Sequence, residues 1–212
     1  MNWKKKLLKK SRLYVIIDKG CLNNKSLPKI ASLAQDAGAG IIQLRDKISG
    51  KDTVLETALA TRKIISHKKA AFIANDYLDI AKISDADGIH LGQDDIPVAI
   101  ARKIMGKNKI IGVSCHSLAQ AIKAKNNGAD YISLGPIFPT STKPEYKPVG
   151  LNLIKKVTRK INIPIFAIGG ITENNIRQVL SCKVKRAAVC SAICKTKDIR
   201  KTIKSFIKII PA

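Results

Sequence analysis

Aromatic side chains are scarce in this chain, at 4% of 212 residues, so a core of adequate size must be aliphatic, built from Ile, Val, Leu and Ala. The same scarcity disfavours a surface that stacks nucleic-acid bases on exposed rings. Apolar runs are short, and none approaches the roughly 20 residues of a membrane-spanning helix. The run Leu13–Ile17 behind the basic start is too short for a signal-peptide core, which leads to the expectation of a cytoplasmic protein with no membrane partner. There is no CxxC pair. Five cysteines, Cys21, Cys115, Cys182, Cys190 and Cys194, are an odd number, so neither a disulfide framework nor a structural zinc site is expected, only reduced thiols. Acidic residues are few, 15 against 39 Lys and Arg, for a net charge of +24. The excess is spread along the chain, with "KKKLLKK" the one dense cluster, and no nucleic-acid motif accompanies it. It reads as solvated lysine-rich helix faces that also hasten the approach of anionic small molecules.

What is present is a repeat. Apolar runs recur at residues 13–17, 40–44, 71–74, 88–91, 110–114, 131–135, 164–169 and 187–192. They are continuous rather than alternating, as parallel strands buried on both faces require. Helical patterns separate them. "SLPKIASLAQDAG" puts Leu27, Ile30, Ala31 and Ala34 on one face, and "SLAQAIKAKNNG" begins at a candidate N-cap, Ser117. Eight strand–helix units predict a (β/α)8 barrel over residues 12–212, preceded by a basic lead-in at residues 1–11. A doubly wound open sheet is the alternative, and the absence of an early GxGxxG loop argues against it.

In such a barrel the site lies at the C-terminal ends of the strands, and almost every run here delivers polar residues there. Gln43, Arg45, Asp46 and Lys47 follow the second run, Asn75 and Asp76 the third, and Gln93, Asp94 and Asp95 the fourth. Ser114 and His116 follow the fifth, "GPIFPTSTKP" (residues 135–144) the sixth, "GGITENN" (169–175) the seventh and Ser191 the eighth. Arg45, Lys47 and Lys143 with Ser114, Thr140 and Thr142 suit phosphate or pyrophosphate, and Asp76 with Asp95 suits Mg²⁺ beside it. The glycines of "AIGGI" allow close approach to backbone, at the loops where this fold binds phosphate. Plainer roles stand beside these: Asp95 and Asp76 each precede a helix and could cap it, His90 reads as a core histidine, His67 as surface, and Asp87 as belonging to the opposite end.

With these residues in view, the sequence resembles the thiamine-phosphate synthase family from about Arg12 to Ile193. The resemblance rests on "IIQLRDK", "IANDYLDIA", "ADGIHLGQDDIP", "IIGVSCHS", "GADYISLGPIFPTSTKP" and "PIFAIGGITENN". It implies transfer of a hydroxymethylpyrimidine group from its pyrophosphate to a thiazole phosphate. The resemblance assigns Arg45, Lys47 and Lys143 to the pyrophosphate, with Asn75 and Ser114 nearby, and makes Arg45, Lys47, Ser114 and Lys143 the catalytic set. Asp76 and Asp95 would hold Mg²⁺ and Gln43 would face the pyrimidine. Thr140, Thr142, Gly170, Cys190 and Ser191 would lie about the thiazole phosphate. The expected partners are these small molecules, not specific nucleic acid, and a homo-oligomer is left open. The stretch "CKVKRAAVC" departs from the family pattern, at a turn expected at the far end of the barrel. The rivals are a thiazole tautomerase of the same family, using His116, and a non-catalytic polyanion binder.

Overall fold

A computed structural model of the chain describes residues 3–22 and 25–211, so Met1 and Asn2 of the lead-in and Ala212 at the barrel's end lie outside the described residues. Eight parallel strands form a closed barrel, each paired with its sequence neighbour and the last with the first. They are β1 (Leu13–Asp18), β2 (Ile41–Arg45), β3 (Ala71–Asn75), β4 (Gly88–Leu91), β5 (Ile110–Cys115), β6 (Tyr131–Leu134), β7 (Ile165–Ile168) and β8 (Ala187–Val189). The helices are α1 (Trp3–Lys10), α2 (Leu27–Asp36), α3 (Lys51–Ile64), α4 (Leu78–Ile83), α5 (Val98–Met105), α6 (Leu118–Asn126), α7 (Gly150–Thr158), α8 (Ile176–Leu180), α9 (Ser191–Cys194) and α10 (Ile199–Ile209). The expected strands all form. The last is shorter than its apolar run, because the chain turns into α9 at Ser191. Ser26 caps α2, Ser117 caps α6, and the four predicted α2 residues are buried.

The strand residues divide by parity, as side chains on a pleated strand must. Leu13, Val15 and Ile17 pack outward against the helices, while Tyr14 and Ile16 point into the barrel. The interior therefore has its own small cluster. Three of the chain's few aromatics, Tyr14, Tyr131 and Phe166, meet there edge to face with centroids 5.5–5.7 Å apart. Room for Tyr131 comes from Gly112 on β5, where an added Cβ would lie 2.0 Å from the tyrosine ring. Large rings and a glycine thus fill one layer, and no pore runs down the axis.

The lead-in is more than a basic tail. It is α1, whose Leu8 is 2% exposed and joins the interior cluster from below. Lys4 pairs with Asp130 at 2.8 Å, and Arg186 donates to the carbonyls of Leu8 and Lys9 at 3.4 and 3.1 Å. The atypical "CKVKR" turn therefore lies at the strand N-terminal end, as expected, and its arginine holds α1. Asp87 is also at this end: its carboxylate pairs with Arg62 and His67 and accepts from the Phe72 N–H at 2.8 Å.

Candidate active site

The mouth at the strand C-terminal ends is lined by Gln43, Arg45, Asn75, Ser114, Thr140, Thr142, Lys143, Gly170, Cys190 and Ser191 among others. A side lobe adds Lys47, Asp76 and Asp95, sharing Arg45, Asn75, Ser114 and Lys143 with the mouth. All the residues expected at the site from sequence thus converge on one connected space.

The cations are held differently. Arg45, the last residue of β2, is braced by the buried carboxylate of Asp18, the last residue of the adjacent β1. Asp18 also accepts from the Gly20 N–H at 2.9 Å. Lys47 pairs with Asp76. Lys143 makes no ion pair among the described residues; its ammonium lies 5.3 Å over the Tyr146 ring. Burial, and then the Arg45 charge, depress its pKa below the ordinary lysine value.

Neither aspartate caps a helix. Asp76 stands at φ 60°, a left-handed conformation costly for a residue with a side chain, and the side chain turns to Lys47. Asp95 accepts from the Gly92 N–H at 2.6 Å and closes its own loop over the mouth. Burial raises the Asp76 pKa; Lys47 opposes this, and the adjoining Asp95 carboxylate adds to it. Two carboxylates in contact, with a lysine beside them, form a donor set that fits a hard divalent cation. Asp46 has another use. Its carboxylate accepts from the N–H groups of Ile48 and Ser49 at 3.0 and 2.9 Å and shapes the turn after β2.

A hydrogen-bonded line crosses the barrel beneath the mouth. Gln43 donates through its amide nitrogen to the Tyr14 hydroxyl. Tyr14 meets Tyr131 at 2.9 Å, Tyr131 meets His90 Nδ1 at 3.0 Å, and His90 Nε2 meets Ser114 Oγ at 2.9 Å. Burial drives the His90 pKa down to about 3, so its ring is neutral and carries one proton. Donor accounting then fixes the direction. Tyr14 accepts from Gln43 and gives its proton to Tyr131, which gives its own to His90 Nδ1. His90 donates from Nε2 to Ser114, whose hydroxyl proton is left for the mouth. His90 is thus a core histidine, as expected, and one that orients a rim serine.

The loop of residues 135–144 is stitched to the end of β7: the Ile137 and Phe138 N–H groups donate to the carbonyls of Ile168 and Gly169 at 2.8 and 3.1 Å. Gly169 and Gly170 have φ of 94° and 62°, and an added Cβ would fall 2.4 Å from Pro136 and 2.3 Å from the Pro139 carbonyl. These glycines therefore admit the close approach of this loop. His116 donates from Nδ1 to the Gly135 carbonyl and stacks on Tyr146 at 4.8 Å.

Sequence reasoning missed Asp18, Tyr14, Tyr131 and Ser133. Ser133 lines the mouth, is 1% exposed, and its hydroxyl is the one buried side-chain polar atom without a partner among the described residues. The available signal was parity: on β6 it shares the inward face with Tyr131.

Fold and mouth together place the chain among the (β/α)8-barrel enzymes, with a rim whose cations, carboxylates, hydroxyls and glycines are those of an anion-handling site. The family model for thiamine monophosphate synthase matches residues 13–193. The thiamine-phosphate synthase of Halalkalibacterium halodurans is 43% identical over 94% of this chain and 95% of its own, and that of Shouchella clausii 41% identical over 91% and 93%. A solved thiamine phosphate pyrophosphorylase from Pyrococcus furiosus superposes with a TM-score of 0.87 at 35% identity, covering 96% of this chain and 97% of its own. The chain belongs to the thiamine-phosphate synthase family. A solved 3-hexulose-6-phosphate synthase, at 21% identity and a TM-score of 0.71, shares the barrel alone.

Proposed function

We propose that the chain joins 4-amino-2-methyl-5-hydroxymethylpyrimidine pyrophosphate to 4-methyl-5-(2-hydroxyethyl)thiazole phosphate, giving thiamine phosphate and pyrophosphate in the cytoplasm. The observation that carries this reading is a mouth with two regions joined by shared cations. Lys47, Asp76 and Asp95 line the side lobe, Thr140, Thr142, Gly170 and Ser191 line the main cavity, and Arg45 and Lys143 line both.

In this reading the pyrophosphate lies against Arg45, Lys47 and Lys143, with Asn75 beside it and the Ser114 hydroxyl donating to an oxygen. Asp76 and Asp95 would hold Mg²⁺, which supplies neutralisation of the leaving pyrophosphate's charge. Gln43, whose amide nitrogen is engaged by Tyr14, offers its amide oxygen to the pyrimidine. The Ser133 hydroxyl is a second polar contact for that ring. Thr140 and Thr142, with the Gly170 and Ser191 N–H groups, take the thiazole phosphate, and Cys190 packs beside it.

The bond between the pyrimidine methylene carbon and the pyrophosphate oxygen breaks first. Its electron pair leaves with the oxygen, and the positive charge spreads into the aminopyrimidine. The thiazole nitrogen then gives its lone pair to the methylene carbon. Such chemistry asks for charge neutralisation and alignment more than for a base. The neutral His90, tied at both nitrogens, agrees with that. The tautomerase alternative would leave the cation–carboxylate lobe without a use.

The test is to mix purified protein with both substrates and Mg²⁺ and to assay thiamine phosphate. Product that requires the metal and is lost in Asp95→Ala is expected. Absence of product from folded wild type would overturn the assignment.

A further inference from the structure

Three of the five cysteines converge beside the mouth, although they lie far apart in sequence. Cys21 follows β1, Cys190 lies between β8 and α9, and Cys194 is in α9. The Cys190 thiol donates to the Cys21 sulfur at 3.9 Å, and Cys21 lies 3.8 Å from the Thr142 hydroxyl. The Asp18 carboxylate, whose two oxygens also take Arg45 and the Gly20 N–H, completes the group: one of its oxygens and the sulfurs of Cys21 and Cys190 all lie within 4.8 Å of one another. Asp18 and Cys190 line the cavity, so the cluster opens toward it.

We infer that Asp18, Cys21 and Cys190 form a binding site for a thiophilic divalent cation of the Zn²⁺ class, distinct from the carboxylate pair on the other side of the mouth. Two thiolates on one tetrahedral zinc, at a Zn–S length of about 2.3 Å, stand about 3.8 Å apart. The observed 3.9 Å separation already has that value. A disulfide would instead require the sulfurs to close to about 2.05 Å. The donor set separates the two sites by softness: thiolates select zinc-like ions, whereas the all-oxygen Asp76–Asp95 pair suits Mg²⁺.

Binding displaces the protons of both thiols, so affinity rises with pH. Three protein ligands leave a fourth position for water or a ligand oxygen. Thr142 touches Cys21, so an ion here would sit next to the hydroxyls of the main cavity.

The experiment is titration of the reduced protein, without Mg²⁺, by Zn²⁺ against a chromophoric chelator, and by Co²⁺ followed by absorbance. The expected result is one ion per chain and a thiolate-to-cobalt band in the near ultraviolet. Cys21→Ser and Cys190→Ser should each lose the band, while Cys182→Ser and Asp95→Ala keep it. Circular dichroism confirms that each variant is folded. No thiolate band in folded wild type would overturn the inference, as would a band that survives in both Cys21→Ser and Cys190→Ser. Neither readout depends on turnover, so failure here is distinct from failure of the catalytic reading.

Discussion

The two ends of this barrel use the same residue types to opposite effect. At the strand N-terminal end the buried and half-buried acids are satisfied. Asp87 takes Arg62, His67 and a backbone N–H, and Asp130 takes Lys4, Arg102 and the Ile111 N–H. At the mouth, groups are left wanting partners. Asp76 faces a second carboxylate, Lys143 lacks an ion pair among the described residues, and Ser133 has no hydrogen bond. Buried polar groups normally find partners, so a rim of under-satisfied ones marks where the missing partner is a ligand. One end holds the fold together; the other holds interactions in reserve.

This contrast can be broken experimentally. The largest effect is expected at the closed end. Asp87→Ala leaves Arg62 and the Phe72 N–H without their carboxylate and should cost about 3–5 kcal/mol of stability, read by denaturant unfolding. Activity of the fraction that remains folded should be unchanged. At the mouth the pattern reverses. Lys143→Ala should lower kcat about 10²- to 10³-fold with little change in unfolding midpoint, since in the proposed reaction it removes a donor to the leaving group, and in the fold it removes no ion pair among the described residues.

Tyr131→Phe probes the line that joins the two regions. It should cost about 1 kcal/mol and lower kcat/KM for the pyrimidine substrate, because His90 loses the donor that fixes its tautomer. An unchanged kcat/KM would show that Ser114 is oriented without the line. The smallest effect is the most telling in sign. Burial and Asp95 keep the Asp76 pKa above its usual value despite Lys47, so its charge works against the fold near neutrality. In the absence of divalent metal, Asp76→Asn should raise the melting temperature by about 2–4 °C at pH 7. The gain should shrink as pH falls and the wild-type carboxyl protonates. A lower melting temperature at pH 7 would mean that the Lys47 pair outweighs the repulsion.

Much of this was legible in the chain. Parallel strands read as apolar runs because both faces are covered, and most rim residues stand at the end of such a run or just beyond it. Gln43, Arg45, Asn75 and Ser114 could be located by counting from strand ends. What could not be read is contact across the barrel: Tyr14 and Tyr131 are 117 residues apart, and only closure brings their hydroxyls together. Helix α1 was obscured for a different reason. Its lysines dominate the local composition, and the side chain that matters, Leu8, is buried by a cavity formed from strands that come later. The convergence of Cys21 with Cys190 is likewise a product of β1 closing on β8.

The ring layer of Tyr14, Tyr131 and Phe166 has one more consequence. Each of the three is fully buried across the axis, and Leu8 stoppers the barrel behind them. The mouth is thus a cup with a single door. Nothing can be expelled through the back. Everything that arrives and everything that departs must therefore cross the same rim.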